Sequence, residues 1–202
     1  MSLAQGAFCR HALLQSQATL NVVWVHHTVF IGFNLEITMI LFFHGLDSDN
    51  QTTKFPAISY PHKYCETVDY RCRNMEEISW HYDELIAQHN PILLVGHSLG
   101  GYWALLKSQQ HGLPCVLVNP QLYPSFRADY PELEVTSGND GVLRIAYLEL
   151  GDEVLDIQRI HRVLDGSLTE LHCANGGHHR VADLARMDSV VHAALERIQK
   201  QD

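Results

Sequence analysis

A chain of 202 residues with 46% apolar and 18% charged residues has the balance of one globular domain with a buried core, which excludes a disordered polypeptide. Its formal charge of −9, with no run of Lys or Arg, would repel phosphate backbones and argues against nucleic acid as a partner. Five cysteines, Cys9, Cys65, Cys72, Cys115 and Cys173, are an odd count without a CxxC pair. Free thiols in a reducing compartment, the cytoplasm, are therefore expected rather than a disulfide framework.

The first 38 residues carry only Arg10 and Glu36 as charges, so the composition shifts sharply near Met39. The stretch from Leu20 to Phe43 is apolar, but Asn21, His26, His27, Asn34 and Glu36 interrupt it, and no membrane span is expected. Nor does a basic segment precede a compact apolar core with a small-residue cleavage site, as a secretory signal requires. Instead Phe33, Leu35, Ile37 and Met39 alternate with polar residues, the period of a half-buried strand, and Met39 to Phe43 continues it as an apolar run. Residues 1–38 are read as an N-terminal extension and residues 39–202 as one domain.

From there strand-like and helical segments alternate, the order that builds a mostly parallel sheet with helices on both faces. Strands are predicted near Met39–Phe43, Tyr64–Tyr70, Ile92–Val95, Cys115–Val118, Leu143–Leu150 and Leu168–Cys173. Met75, Ile78, Tyr82, Leu85 and His89 recur at helical spacing, and Asn74 with Glu77 has the form of a capping box. A second helix is predicted from Leu99 to Gln110, stopped at Gly112, a third after Asp156 and a last from Val181 to Gln199.

The segment Pro91-Ile92-Leu93-Leu94-Val95 runs into Gly96-His97-Ser98-Leu99-Gly100, so a GxSxG motif falls at a predicted strand-to-helix turn. A serine there projects above the sheet, and its glycine neighbours allow the tight turn. The hydroxyl needs an imidazole to take its proton and an acid to orient that imidazole, and in this fold the chain order is Ser, acid, His. The acid expected is Asp152, the first carboxylate after the strand ending at Leu150; Asp156 reads as a helix cap and Glu153 as a loop charge. The base is expected from Asn175-Gly176-Gly177-His178-His179, with His179 preferred and His178 the alternative.

Two backbone N–H groups should face the developing oxyanion, those of Leu99 and of Leu46 in His44-Gly45-Leu46. His44 and His97 are read as structural. The adjacent pairs His26-His27 and His178-His179 lack the spacing that puts two imidazoles on one helix face, so no metal and no cofactor are expected. Between Pro120 and Leu143 the chain is too short for a deep lid, which predicts a minimal cap and small or short-chain acyl groups. Tyr102, Trp103, Leu122 and Tyr123 are the candidates for lining an acyl pocket.

Taken together, FFHGLDS, ILLVGHSLGGYWA, VLVNPQLYP, LGDEVLD and GGHHR resemble the small bacterial YqiA/YcfP-type esterases of the α/β-hydrolase superfamily, from about Met39 to the end. The resemblance implies an α/β-hydrolase fold and a serine esterase acting on a small-molecule ester, with Ser98 as nucleophile, Asp152 as acid and His179 as base. It also favours His179 over His178 and supports Leu46 and Leu99 as oxyanion donors. Rival readings are an acyl-CoA-type thioesterase and, from another class, a non-catalytic binding module on a hydrolase scaffold; the oligomeric state is not legible. Because members of that family begin close to the strand that starts here with Met39, translation from Met39 is expected. Mass spectrometry of the native N-terminus should find Met39, and an intact Met1–Thr38 segment would end the idea.

Overall fold

A computed structural model of the protein describes residues 18–25, 28–35, 38–135, 141–167 and 169–200. The chain divides into two units between Ile37 and Thr38. In the first, β1 (Ala18–Val25) pairs antiparallel with β2 (Thr28–Leu35), Val25 opposite Thr28 and Ala18 opposite Leu35. The strand predicted to run unbroken from Phe33 through Met39 is thus corrected: β2 ends at Leu35, Ile37 lies outside the described residues, and Thr38 and Met39 are not strand. Phe33 belongs to an antiparallel hairpin and Ile40 to a parallel ladder, and one alternating run cannot serve both.

The second unit follows in the order β3 (Ile40–Phe43), α1 (Lys54–Ala57), β4 (Lys63–Tyr64), α2 (Met75–His89), β5 (Leu93–His97), α3 (Leu99–His111) and β6 (Cys115–Val118). It continues with β7 (Arg144–Glu149), α4 (Ile157–Asp165), β8 (Glu170–Ala174) and α5 (Leu184–Gln199). The six strands form one parallel sheet in the order β4-β3-β5-β6-β7-β8.

Successive side chains of the central strands feed two cores. Leu41, Phe43, Leu94, Leu117, Ala146 and Leu148 face one cluster with α2, α3 and α4, whereas Ile40, Phe42, Val95, Val116, Val118 and Ile145 face the other with α5. Burial on both faces explains why these strands read as unbroken apolar runs. Asn74 Oδ1 accepts from Glu77 N–H at 2.9 Å while Glu77 Oε2 accepts from Asn74 N–H at 2.9 Å, the capping box read from the sequence. Fully buried Lys107 of α3 donates to Ser79 Oγ at 2.8 Å and Asp83 Oδ1 at 2.6 Å, fastening α3 to α2.

Two further boundaries differ from expectation. Of the strand predicted at Tyr64–Tyr70, only Lys63 and Tyr64 pair with β3. Val68 and Tyr70 are buried as loop residues on His44: Val68 N–H donates to His44 Nε2 at 2.8 Å and Tyr70 Oη–H to the His44 carbonyl at 2.9 Å. The last helix starts at Leu184, not Val181, because Val181 has φ 67° and Asp183 is the N-cap. Leu168, predicted to open β8, lies outside the described residues. Among the described residues no helix is long and apolar enough to cross a membrane.

The topology places the site. From β3 the chain turns toward the β4 edge, and β5, on the other side of β3, leads away toward β8, so the loops leaving the carboxyl ends of β3 and β5 part at a topological switch point. Leu46 lies on the first of these loops and Ser98 on the second.

Candidate active site

Ser98 sits between β5 and α3 at φ 56°, ψ −121°, a region that costs a residue with a side chain about 1–3 kcal/mol. The turn is held by its own backbone: Ser98 N–H donates to the Val118 carbonyl at 3.1 Å, and its carbonyl accepts from Gly101 N–H at 2.8 Å and Gln121 N–H at 2.9 Å. A Cβ on Gly96 would overlap the Gly100 backbone, and one on Gly100 would overlap the Phe43 carbonyl. The flanking glycines are therefore required by close approach, as the GxSxG spacing implies. A Cβ on Gly45 would lie 3.2 Å from Ser98 Cβ, which brings the His44-Gly45-Leu46 turn directly against the serine.

His179 and Asp152 arrive from the far side of the sheet. His179 Nδ1 lies 2.8 Å from Asp152 Oδ2, and the Asp152 side chain is fully buried. The other carboxylate oxygen, Oδ1, accepts from the N–H groups of Val154 and Leu155, each at 2.9 Å. Burial pushes the Asp152 carboxyl up, but the bonds from His179, Leu155 and Val154 outweigh it and hold the group below the usual aspartate range. With Nδ1 committed to the carboxylate, Nε2 is the ring nitrogen left for other chemistry. His178, the sequence alternative, is exposed, and no bond to Asp152 reaches its ring.

Ser98, His179, Leu46 and Leu99 line one cavity of about 260 Å³, together with Asp47, Gln121, Phe126, Val154 and Leu155. Neither Leu46 nor Leu99 spends its backbone N–H on another acceptor among the described residues. The four side chains expected to line an acyl pocket do not line this cavity: Tyr102, Trp103 and Leu122 are fully buried in the core and Tyr123 lies beneath the Arg159 guanidinium, 3.5 Å from it. Phe126, Val154 and Leu155 take that place from loops, where no periodicity marks them. A larger, open groove of about 570 Å³ runs along α2 past Trp80; its one serine, Ser79, accepts from Lys107 Nζ at 2.8 Å, and no imidazole is among its lining residues.

The other histidines of the site are structural in their bonding. His44 Nδ1–H donates to the Gly45 carbonyl at 2.8 Å, and burial holds the ring below its ordinary pKa. His97 Nε2–H donates to the His179 carbonyl at 2.8 Å, and burial takes its pKa down to about 3, so it is neutral. Glu153 Oε2 accepts from His179 N–H at 3.1 Å, and Asp156 caps α4 by accepting from Arg159 N–H at 3.0 Å. Among the described residues no group of three His, Cys, Asp or Glu side chains is arranged to hold a metal ion.

A six-stranded parallel sheet with a serine on a strained turn after a central strand defines the α/β-hydrolase fold. Within it, residues 39–130, a little under half of the chain, match the family described as Uncharacterised protein family (UPF0227), which agrees with the YqiA/YcfP-type resemblance over that stretch. Similar solved structures agree on the fold. Est1E from Butyrivibrio proteoclasticus superposes with a TM-score of 0.63 at 9% identity, covering 93% of this chain and all (100%) of its own. A structure from Xanthomonas campestris assigned to the alpha/beta hydrolase superfamily gives 0.61 at 18% identity, covering 81% and 98%. The esterase domain of a Rhodothermus marinus protein gives 0.58 at 15% identity, covering 90% and 98%. No curated protein matches the sequence.

The lowered carboxyl of Asp152 has a stability consequence of definite sign. A depressed acid stabilises the fold above its unfolded pKa, near the ordinary 3.8, and that contribution is lost as pH falls through the lower folded value. Urea titrations across acid pH should therefore show unfolding free energy falling below about pH 4.5, with a shallower fall in Asp152→Asn; equal slopes would contradict the assignment.

Proposed function

We propose that the protein is a serine esterase that cleaves small or short-chain carboxylic esters through an acyl-enzyme on Ser98. The observation that carries this reading is a single one: His179, bonded at 2.8 Å to buried Asp152, shares a cavity with a serine held in a strained turn. Ser98 Oγ attacks the ester carbonyl and His179 Nε2 takes its proton. Asp152 holds Nδ1–H and stabilises the imidazolium that forms. The N–H groups of Leu46 and Leu99 take the charge of the tetrahedral oxygen. The proton passes from His179 to the leaving alkoxide, and water, deprotonated by the same ring, then releases the acid and restores Ser98.

The cavity supports the substrate class. About 260 Å³ lined by Leu46, Leu99, Phe126, Val154 and Leu155 suits a compact apolar acyl group better than a long chain. The segment from Gln121 to Val135 contains no helix or strand, in keeping with a minimal cap. The names of two similar structures, an esterase domain and a monoacylglycerol lipase from Paleococcus ferrophilus, favour ester chemistry. A free small-molecule ester in the cytoplasm is the substrate this reading expects.

Turnover of acetyl, butyryl and longer p-nitrophenyl esters, with matched thioesters alongside, tests the proposal. Activity should be greatest on the short oxygen esters and absent in Ser98→Ala. Asp152→Asn should lose about 10⁴-fold in kcat, since the imidazole then takes the wrong tautomer. His179→Ala should be inactive while His178→Ala keeps most of its rate. Undiminished hydrolysis by Ser98→Ala, or no turnover by a folded parent, would refute it.

A further inference from the structure

Three residues before Asp152 lies a second carboxylate, Glu149, at the end of β7 and 1% exposed. Among the described residues no Lys or Arg pairs with it; its acceptors are filled chiefly by the loop that carries His179. Oε2 accepts from His178 N–H at 2.8 Å and Ala182 N–H at 2.8 Å. Oε1 accepts from Ala182 N–H at 2.9 Å, Asp183 N–H at 2.9 Å and the Tyr147 hydroxyl at 3.1 Å. Backbone donors on both sides of His179 thus converge on one anion.

Between those donors the chain does something costly. Val181 stands at φ 67°, a left-handed conformation that a β-branched residue rarely adopts and that persists only when its surroundings over-determine it. Gly177, at φ 76°, sits so close that a Cβ there would overlap the Glu149 carboxylate. Asn119 Oδ1 accepts from Glu149 N–H at 2.8 Å, and its Nδ2 donates to the His178 carbonyl at 3.3 Å, closing the ring of contacts.

We propose that Glu149 is a positioning residue for His179, an anionic clamp that fixes the strained 178–183 loop so that the imidazole is presented to Ser98. This rests on the esterase reading above. Burial works against ionisation of the carboxyl, but the N–H groups of Ala182, Asp183 and His178 outweigh it and hold the group below the usual glutamate range. The clamp is therefore charged at neutral pH. A glutamine in its place keeps the shape but turns one acceptor into an N–H₂ that faces backbone donors, whichever oxygen is replaced.

The experiment compares the parent, Glu149→Gln and, as a control of similar stability loss elsewhere, Asn74→Ala at the α2 cap. A fluorophosphonate probe counts competent sites, so that kcat is expressed per labelled site, and amide hydrogen exchange follows His178, Ala182 and Asp183. Glu149→Gln should lose between about tenfold and 10²-fold in kcat per site, the cost of a misplaced reacting group, with KM little changed. Its three loop amides should exchange faster, while Asn74→Ala keeps the parental kcat per site and loop exchange. A parental kcat per site in Glu149→Gln would overturn the proposal, whatever happens to its stability. Should the parent neither react with the probe nor turn over any ester, the esterase reading falls, and loop amides that stay slow in Glu149→Gln would overturn the clamp as well.

Discussion

A strained backbone at Ser98 is the constraint around which the rest of this domain is arranged. At φ 56°, ψ −121° the residue cannot rest in any ordinary strand or helix, so β5 must end and α3 must begin within one residue. That abrupt turn is possible because the backbones of Gly96, Gly100 and Phe43 approach more closely than any Cβ permits. The bonds from Ser98 N–H to Val118 and from Gln121 N–H to the Ser98 carbonyl then tie the turn to the end of β6. Strain of about 1–3 kcal/mol is tolerable because both cores, one on each face of the sheet, are anchored by the same central strands.

The imidazole side is held by a different device. Nothing regular supports residues 175–183; Gly176 and Gly177 turn through positive φ freely, but Val181 at φ 67° makes the loop unfavourable by itself. Its backbone is satisfied instead by groups on neighbouring strand ends: Glu149 and Asn119 from below, His97 from the elbow and Glu153 from the acid loop. Placement of His179 is thus a property of buried polar contacts, which are strong when complete and costly when any member is lost. The two devices converge on one cavity, whose apolar walls come from loops rather than from the sheet.

The sheet and helices were legible in the sequence because burial of both strand faces leaves continuous apolar runs, and because a strand running into GHSLGG admits few local structures. Cys115–Val118 and Met75–His89 coincide with their predicted ranges for that reason. Tyr64–Tyr70 misled because Val68 and Tyr70 are apolar in order to cover His44, not to pair in a ladder. Tyr102 and Trp103 follow the elbow directly, yet the turn of α3 carries them into the core, where their rings meet Tyr82 and Tyr130. Glu149 was invisible for a deeper reason. A carboxylate at a strand end has no pattern that announces which distant N–H groups it accepts, and only Gly177, where a Cβ would overlap the Glu149 carboxylate, hints that something approaches that loop closely.

The proposed esterase reading requires a covalent acyl-enzyme on the elbow serine. Rapid acid quench of the protein with a slowly hydrolysed p-nitrophenyl ester, followed by intact-mass and peptide mass spectrometry, reads it directly. One acyl group on the peptide containing Ser98, formed as fast as the first equivalent of nitrophenol is released and absent in Asp152→Asn at the same time point, is the result expected. Nitrophenol release without an adduct on Ser98, or with the acyl group on another side chain, would contradict it.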